Sequence, residues 1–433
     1  MPTLTIPLSR IEGHARVVIN YHGGRVLSAH FEATELRGFE YFVQGAPAEQ
    51  MPVIVPRICG VCSTAHHITA VKALETIFRV EPPPVAVRIR ELMMLGQLIQ
   101  NQATSLFLFT MPDLPGREGV PSIFHFGAED SDLAPRALQV RRAGTDLIVL
   151  AGGQFIHPVR ATIGGVTGGI PRAAAEALRT QLAATLPIAQ QLFERYWELF
   201  VGLKDRIDTL GDDTPTYYLA AVEKRHAYYG GRVRVLGPDG REEDAFDICD
   251  YQQHLTVVPM ETSYSSGTLF RGQLLRANSL ARLNMLPELG TPVADRYMRR
   301  FHQEWGHPAH AILLFDLARG IELVYCLERA IEILAEPLAG CELRVGYRPL
   351  DGEGCGLVEA PRGPLIHHYA VRDGLVRSAR FVIPTEHNIL AIERALEVVA
   401  RRYIHPDRVD AELERAVGRV VRAFDPCIAC ATH

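Results

Sequence analysis

The distribution of apolar and polar positions divides the chain into three kinds of stretch. Near the start, ARVVINYHGGRVLSAHFEATE alternates apolar and polar residues around His22-Gly23-Gly24. A period of two interrupted by paired glycines predicts a β-hairpin. Segments 67–79, 84–110, 131–150, 172–209, 293–304 and 308–335 then show helical periodicity or helix-forming composition, punctuated by Pro and Gly stretches. Helices of that length predict a bundle at the core. Residues 210–285, which include YYGGRVRVLGPDGREEDAFD, are polar, aromatic and glycine-containing, with short strand-like runs. They predict a peripheral β-rich insertion. A second β section, 341–384, carries Asp373-Gly374 as a hairpin turn, and helices at 386–402 and 407–423 lead to the C-terminus. No repeat, low-complexity tract or linker interrupts the pattern. The expected fold is α+β and mainly helical: one interwoven unit over 1–433, with a central long-helix bundle, peripheral β-hairpins and small sheets.

Composition narrows the function classes more than it narrows the fold. With 433 residues and 47% hydrophobic content the chain can bury a large core. A formal net charge of -5 offers no broad attraction to nucleic acid or to an anionic membrane surface. The opening MPTLTIPLSRIEGH lacks the basic and apolar regions of a secretory signal. The most apolar stretch, residues 92–111, holds Gln97, Gln100, Asn101 and Gln102 at its middle, which fits a buried helix better than a membrane span.

Candidate chemistry sits in the cysteines. Of eight, Cys59 and Cys62 form one C-x-x-C pair and Cys427 and Cys430 another, while Cys249, Cys326, Cys341 and Cys355 are scattered and read as ordinary buried thiols. A C-x-x-C turn directs two sulfurs at one ion, and two turns together provide four thiolates. Spacing alone fits a structural zinc site and an iron or nickel centre about equally. Two features weigh against zinc: the pairs lie at opposite ends of a chain that has ample core, and Asp425, Arg57 and histidines stand beside the soft ligands. A thioredoxin-like dithiol would need a βαβ context that the pattern does not show.

RICGVC at 57–62 and DPCIACATH at 425–433 resemble the two signature motifs of the large, catalytic subunit of nickel-iron hydrogenases. The resemblance continues through RIEGHARV at 10–17, RGFE at 37–40, EAPRG at 359–363 and VIPT at 382–385, in the family's order and across essentially the whole chain. It implies reversible, heterolytic cleavage of dihydrogen at a nickel-iron centre whose iron carries carbon monoxide and cyanide. Carried over residue by residue, Cys59 and Cys427 are terminal nickel ligands, and Cys62 and Cys430 bridge the metals. Glu12 matches the proton-relay carboxylate, with the Cys427 sulfur as first proton acceptor; without the resemblance Glu12 would read as a solvated acid. Arg362 matches the arginine over the open metal site, beside Pro361 and supported by Asp425. Thr385, after Pro384, matches a hydrogen-bond donor to a cyanide. His66 resembles the histidine that donates to a bridging cysteine, a capping role being the alternative. Glu40 and His433 match ligands of a magnesium or similar ion near the C-terminus. The pattern departs at QNQATS, where Asn101 stands in place of an acid or serine and cannot supply negative charge next to Arg362.

Because every paired cysteine belongs to this site, the electrons need an iron-sulfur small subunit. RGFEYFVQG and MPVIVPRICGVCSTAHH are most similar to the cytoplasmic branch of the family, which implies further diaphorase-type partners. GGVTGG at 164–169 lacks the G-x-G-x-x-G spacing, so any nicotinamide belongs on another subunit.

Overall fold

The computed structural model describes residues 2–116, 120–127, 130–207, 210–212, 215–223 and 228–433. The chain begins with an antiparallel sheet of β1 (Thr3–Pro7), β2 (Ala15–His22) and β3 (Arg25–Ala33), with the predicted hairpin at Gly23-Gly24. Helices α1 (Ser63–Phe78), α2 (Pro84–Ala103), α3 (Leu133–Gly152) and α4 (Arg172–Val201) follow. Residues 208–209 of the expected 172–209 helix lie outside the described residues. The expected 84–110 helix is α-helical only to Ala103 and continues as a π-helical segment, Thr104–Thr110. Thr104 and Thr110 each donate a side-chain hydrogen bond to the carbonyl four residues back, a pattern that bends helices.

Residues 210–285, apart from 213–214 and 224–227, which are not described, form β4 (Tyr217–Val222), β5 (Arg232–Leu236), β6 (Glu242–Phe246), β7 (Leu255–Pro259), β8 (Ser266–Phe270) and β9 (Gln273–Arg276). They make one sheet of order β6-β5-β4-β9-β8-β7. The end of this segment is helical, α5 (Ser279–Met285), capped by the Asn278 side chain, which accepts from Ser279 N–H. Every residue of α5 is buried, so no polar face reveals its period.

Helices α6 (Pro292–Trp305) and α7 (Leu314–Ile333) come next. Helices α2, α3, α4 and α7 pack in a ring, each against two others, which is the expected bundle. Then β10 (Gly352–Ala360), β11 (Gly363–Arg372) and β12 (Leu375–Val382) form a second antiparallel sheet, with Asp373-Gly374 in the left-handed conformation at the predicted turn. Its Leu357, Ile366 and Val382 share a core with Leu219, Ala221 and Leu275 of the six-stranded sheet. The other face of β10 receives α1 so closely that a Cβ on Gly356 would stand 2.1 Å from the Thr69 carbonyl oxygen. This contact matters for the site, because α1 follows Cys62 and β10 leads to Arg362. Helices α8 (Pro384–Tyr403) and α9 (Leu413–Phe424) deliver the C-terminal segment. Among the described residues no helix is long and apolar enough to cross a membrane.

Candidate metal centre

Three stretches from distant parts of the chain meet at the paired cysteines. Cys59 is extended after a short 3-10 turn, and Cys62 occupies the N-cap position of α1, where the helix dipole favours a thiolate. At the other end, Asp425 takes a left-handed conformation (φ 50°) that terminates α9 and turns Cys427 inward. The N-terminal segment lies alongside: Glu12 forms a parallel bridge with Cys427, and its carbonyl accepts from Ile428 N–H. Gly13 (φ 80°) permits this approach, since a Cβ there would lie 2.8 Å from the Ile428 Cβ.

The four sulfurs are buried and lie within 4.8 Å of one another. Cys427 Sγ is 3.4 Å from Cys59 Sγ, 3.6 Å from Cys62 Sγ and 2.9 Å from Cys430 Sγ. Hydrogen bonding, first from Cys427, pulls the Cys59 and Cys62 thiols down, whereas burial first of all pushes Cys427 and Cys430 far up. Four thiolates this close repel one another in a low dielectric and require a cation to neutralise them. The donor set therefore fits a soft metal. Of the four remaining cysteines, Cys326 and Cys355 are buried as expected, but Cys249 and Cys341 are exposed.

The other expected site residues surround this cluster. Glu12 Oε2 lies 3.1 Å from Cys427 Sγ and accepts from Ala429 N–H at 3.1 Å. Burial and the neighbouring Cys59 raise its carboxyl above the usual range. Arg362 is buried and reaches Cys62 Sγ at 3.4 Å; it donates to Asp425 Oδ1 at 3.1 Å and to the Asp425 carbonyl. Burial opposes its charge, but Asp425 and the sulfurs outweigh that and hold the guanidinium protonated. Asn101 Nδ2 donates to the second Asp425 oxygen at 3.1 Å. An amide at this position has a structural consequence: Asn101 serves Asp425 as a donor and adds no charge of its own beside Arg362, which Asp425, the sulfurs and Glu12 neutralise. Asn101→Leu is expected to keep the fold but to cost about 1–3 kcal/mol, read as a lower thermal midpoint with unchanged metal content, because a buried carboxylate oxygen loses its donor.

Pro361, Pro384, Thr385, His66 and Arg362 line one cavity together with Cys62, Cys427 and Cys430. Thr385 Oγ1 accepts from Cys427 N–H at 3.0 Å, so its own hydrogen is available to a ligand. His66 caps no helix end; its Nδ1 is 3.0 Å from His367 Nε2, and its Nε2 is buried without a partner. Glu40 Oε1 lies 3.3 Å from His433 Nε2, and His433 Nδ1 donates to the Cys430 carbonyl at 3.0 Å. Although burial opposes charge on both, the contact raises His433 and lowers Glu40.

Sequence reasoning missed several supporting residues. Arg282 is buried between Glu322 and Glu359 and donates to the carbonyls of Ala360 and Pro361, fixing the turn that presents Arg362. Gln102 connects that cluster to Asn101. Arg37 ties the two cysteine segments together: its side chain donates to the Ile58 carbonyl and its N–H to the Thr432 carbonyl. Arg37 and Glu359 stood within the RGFE and EAPRG runs; Arg282 had no signal, since its partners lie 40 and 77 residues away.

Comparison with known proteins agrees with this geometry. The family model described as nickel-dependent hydrogenase matches residues 37–110 and 223–433, and one described as HoxL-like matches 3–36. The chain is 35% identical over 418 residues to a vhu-type F420-non-reducing hydrogenase polypeptide of Methanococcus voltae, covering 92% of this chain and 98% of that protein. It is 30% identical over 458 residues to the beta chain of the NAD-reducing hydrogenase HoxS of Cupriavidus necator, covering 99% and 93%. Its fold superimposes on an NAD+-reducing NiFe hydrogenase in the H2-reduced state with a TM-score of 0.94 and 32% identity, covering 100% of both chains. A buried four-sulfur site completed by both ends of the chain, in a fold and sequence of this kind, shows that the chain belongs to the nickel-dependent hydrogenase family, as its catalytic subunit.

Proposed function

We propose that this subunit cleaves dihydrogen heterolytically and reversibly, handing protons to Glu12 and electrons to a partner iron-sulfur subunit. The observation that carries the reading is the Glu12 carboxyl against the Cys427 sulfur, within a cluster of four buried thiols. Cys59 and Cys427 would hold nickel, and Cys62 and Cys430 would take the bridging role, holding nickel and iron together. When bound, the nickel-iron pair, with carbon monoxide and cyanide on iron, supplies the Lewis acidity and redox capacity that polarise dihydrogen and take its electrons.

The chain's residues do the rest. A proton on Cys427 Sγ is within reach of Glu12 Oε2, and the carboxyl of Glu12, raised by burial and by Cys59, accepts a proton more readily than an exposed carboxylate. Glu12 is half-buried, so it can pass that proton outward. Arg362, held by Asp425, places a fixed positive charge at the sulfurs. Thr385 offers its hydroxyl to a cyanide, and Pro361 and Pro384 keep water from the cavity wall. Glu40 and the deprotonated Nε2 of His433, now 3.3 Å apart, would hold a magnesium or similar ion that fixes the C-terminus.

Electrons leave where the Cys59–Cys62 loop reaches the surface. Gly60 and Val61 are exposed there, and the segments tied to this loop carry exposed Leu36, Tyr41, Phe42 and Val53. Apolar exposure of this extent supports a docked small subunit. Further diaphorase-type subunits and a cytoplasmic location follow the likeness to the NAD-reducing relatives and the RGFEYFVQG resemblance. The test is to purify the native complex, identify its subunits and assay dihydrogen-dependent reduction of an artificial acceptor. Reduction by a complex containing an iron-sulfur subunit is expected; an inactive chain with no such partner would overturn the reading.

A further inference from the structure

Behind the metal cavity runs a buried chain of polar groups that the proposed mechanism does not use. Tyr369 Oη lies 2.6 Å from His367 Nδ1, and His367 Nε2 lies 3.0 Å from His66 Nδ1. All three side chains are buried, with relative exposures of 0%. Two ring nitrogens 3.0 Å apart form a hydrogen bond only where one of them keeps its lone pair. A neutral ring carries a single N–H, and which nitrogen holds it follows from the partners.

The assignment starts at the tyrosine. A buried phenol has a hydrogen to donate, and His367 Nδ1 is its one partner among the described residues. His367 Nδ1 is therefore an acceptor, and the ring proton sits on Nε2. That proton points at His66 Nδ1, which must accept it. The proton of His66 is thereby forced onto Nε2, the atom that is buried without a partner in a ring lining the cavity with Cys62 and Cys430.

We infer that Tyr369 and His367 are positioning residues: through two successive hydrogen bonds they fix His66 in the tautomer that keeps an N–H, and not a lone pair, on Nε2 in the cavity it shares with Cys62 and Cys430. The inference rests on the bridging role proposed for Cys62 and Cys430. Without the tyrosine hydroxyl the whole chain can reverse, His66 donating from Nδ1 and presenting a lone pair from Nε2 to an electron-rich sulfur. A hydrogen bond to a ligating sulfur withdraws electron density from the metals and helps set their potential. Tyr369 and His367 thus tune the centre without touching it. His368, next in sequence, pairs instead with Glu353 on the outer side of the strand, so the alternation of β11 selects which histidine enters the relay.

The test is infrared spectroscopy of the purified complex, with nickel and iron measured in the same samples. Tyr369→Phe is expected to retain both metals, to shift the carbon monoxide band to lower wavenumber as the sulfur becomes a stronger donor, and to slow turnover about tenfold. His367→Leu should shift the band the same way, and His367→Gln, whose amide can still donate to His66, should restore it toward the wild-type position. Wild-type frequencies in Tyr369→Phe overturn the relay. Should that variant fail to load metal, identical frequencies in His367→Leu and His367→Gln overturn it instead. A wild-type complex with no carbon monoxide or cyanide bands overturns the underlying nickel-iron reading and the inference with it.

Discussion

Cys62→Ser is expected to abolish dihydrogen turnover and to leave the chain without its full nickel and iron content. Cys62 sits at the N-cap of α1 with its sulfur 3.6 Å from Cys427 Sγ and 3.4 Å from the Arg362 guanidinium. A serine oxygen is smaller and harder than a thiolate sulfur, and it stays protonated where the thiol of Cys62 is pulled down by Cys427 and the other sulfurs. The substitution removes a proposed bridge and also the anionic partner on which one Arg362 nitrogen rests. Changing a group that merely supports a metal ligand costs about 10–100-fold. Loss of a bridging ligand should exceed that and leave no measurable activity. Elemental analysis and dye reduction on the purified complex check the prediction; a variant with full nickel and iron and normal turnover would contradict it.

Glu12→Gln separates proton transfer from metal assembly. The glutamine amide is nearly isosteric and its oxygen can still accept from Ala429 N–H, so the Glu12–Cys427 bridge and the thiol cluster should persist. What it cannot do is take a proton from Cys427 Sγ, 3.1 Å away in the native chain, and release it outward. General acid-base groups contribute about 10²–10⁴-fold, and exchange between dihydrogen and deuterons should fall by an amount in that range. Nickel and iron contents should not change. Unaltered exchange would remove Glu12 from the relay and direct attention to Arg362, the other proton-bearing group that reaches the sulfurs.

These two residues also show what the sequence made legible. Cysteine spacing and the RIEGH, EAPRG and VIPT runs identified side chains that the fold brings together from residues 12, 59–62, 361–362, 385 and 425–430. The hairpins at Gly23-Gly24 and Asp373-Gly374 were readable because a glycine in a tight turn has a local cause. Helices α3 and α4 were readable because each has one face turned from the core, and α2 and α7, buried along most of their length, because of their length and helix-forming composition. Helix α5 was not, since all of its seven residues are buried and periodicity needs a polar face to be seen. The π-helical segment after Ala103 escaped for a similar reason: composition alone does not distinguish it from an α-helix.

Partners that lie far apart in sequence formed the larger gap. Asn101 meets Asp425 across 324 residues and His66 meets His367 across 301, and no local pattern announces either contact. Both contacts change the chemistry. Asn101 turns a missing charge into a donor for the Arg362 partner, and His367 determines which nitrogen His66 turns to the cavity. Exposure was equally hidden: Cys249 and Cys341 read as core thiols, yet both reach the surface.

What the four sulfurs hold decides the chemistry of the whole subunit. Infrared spectroscopy of the purified complex, paired with elemental analysis, tests this directly. The predicted result is a set of metal-bound carbon monoxide and cyanide stretching bands with one nickel per four-cysteine site and iron in excess of nickel, the surplus coming from the clusters of the small subunit. Zinc at the four-cysteine site, with no carbon monoxide or cyanide bands, would contradict it.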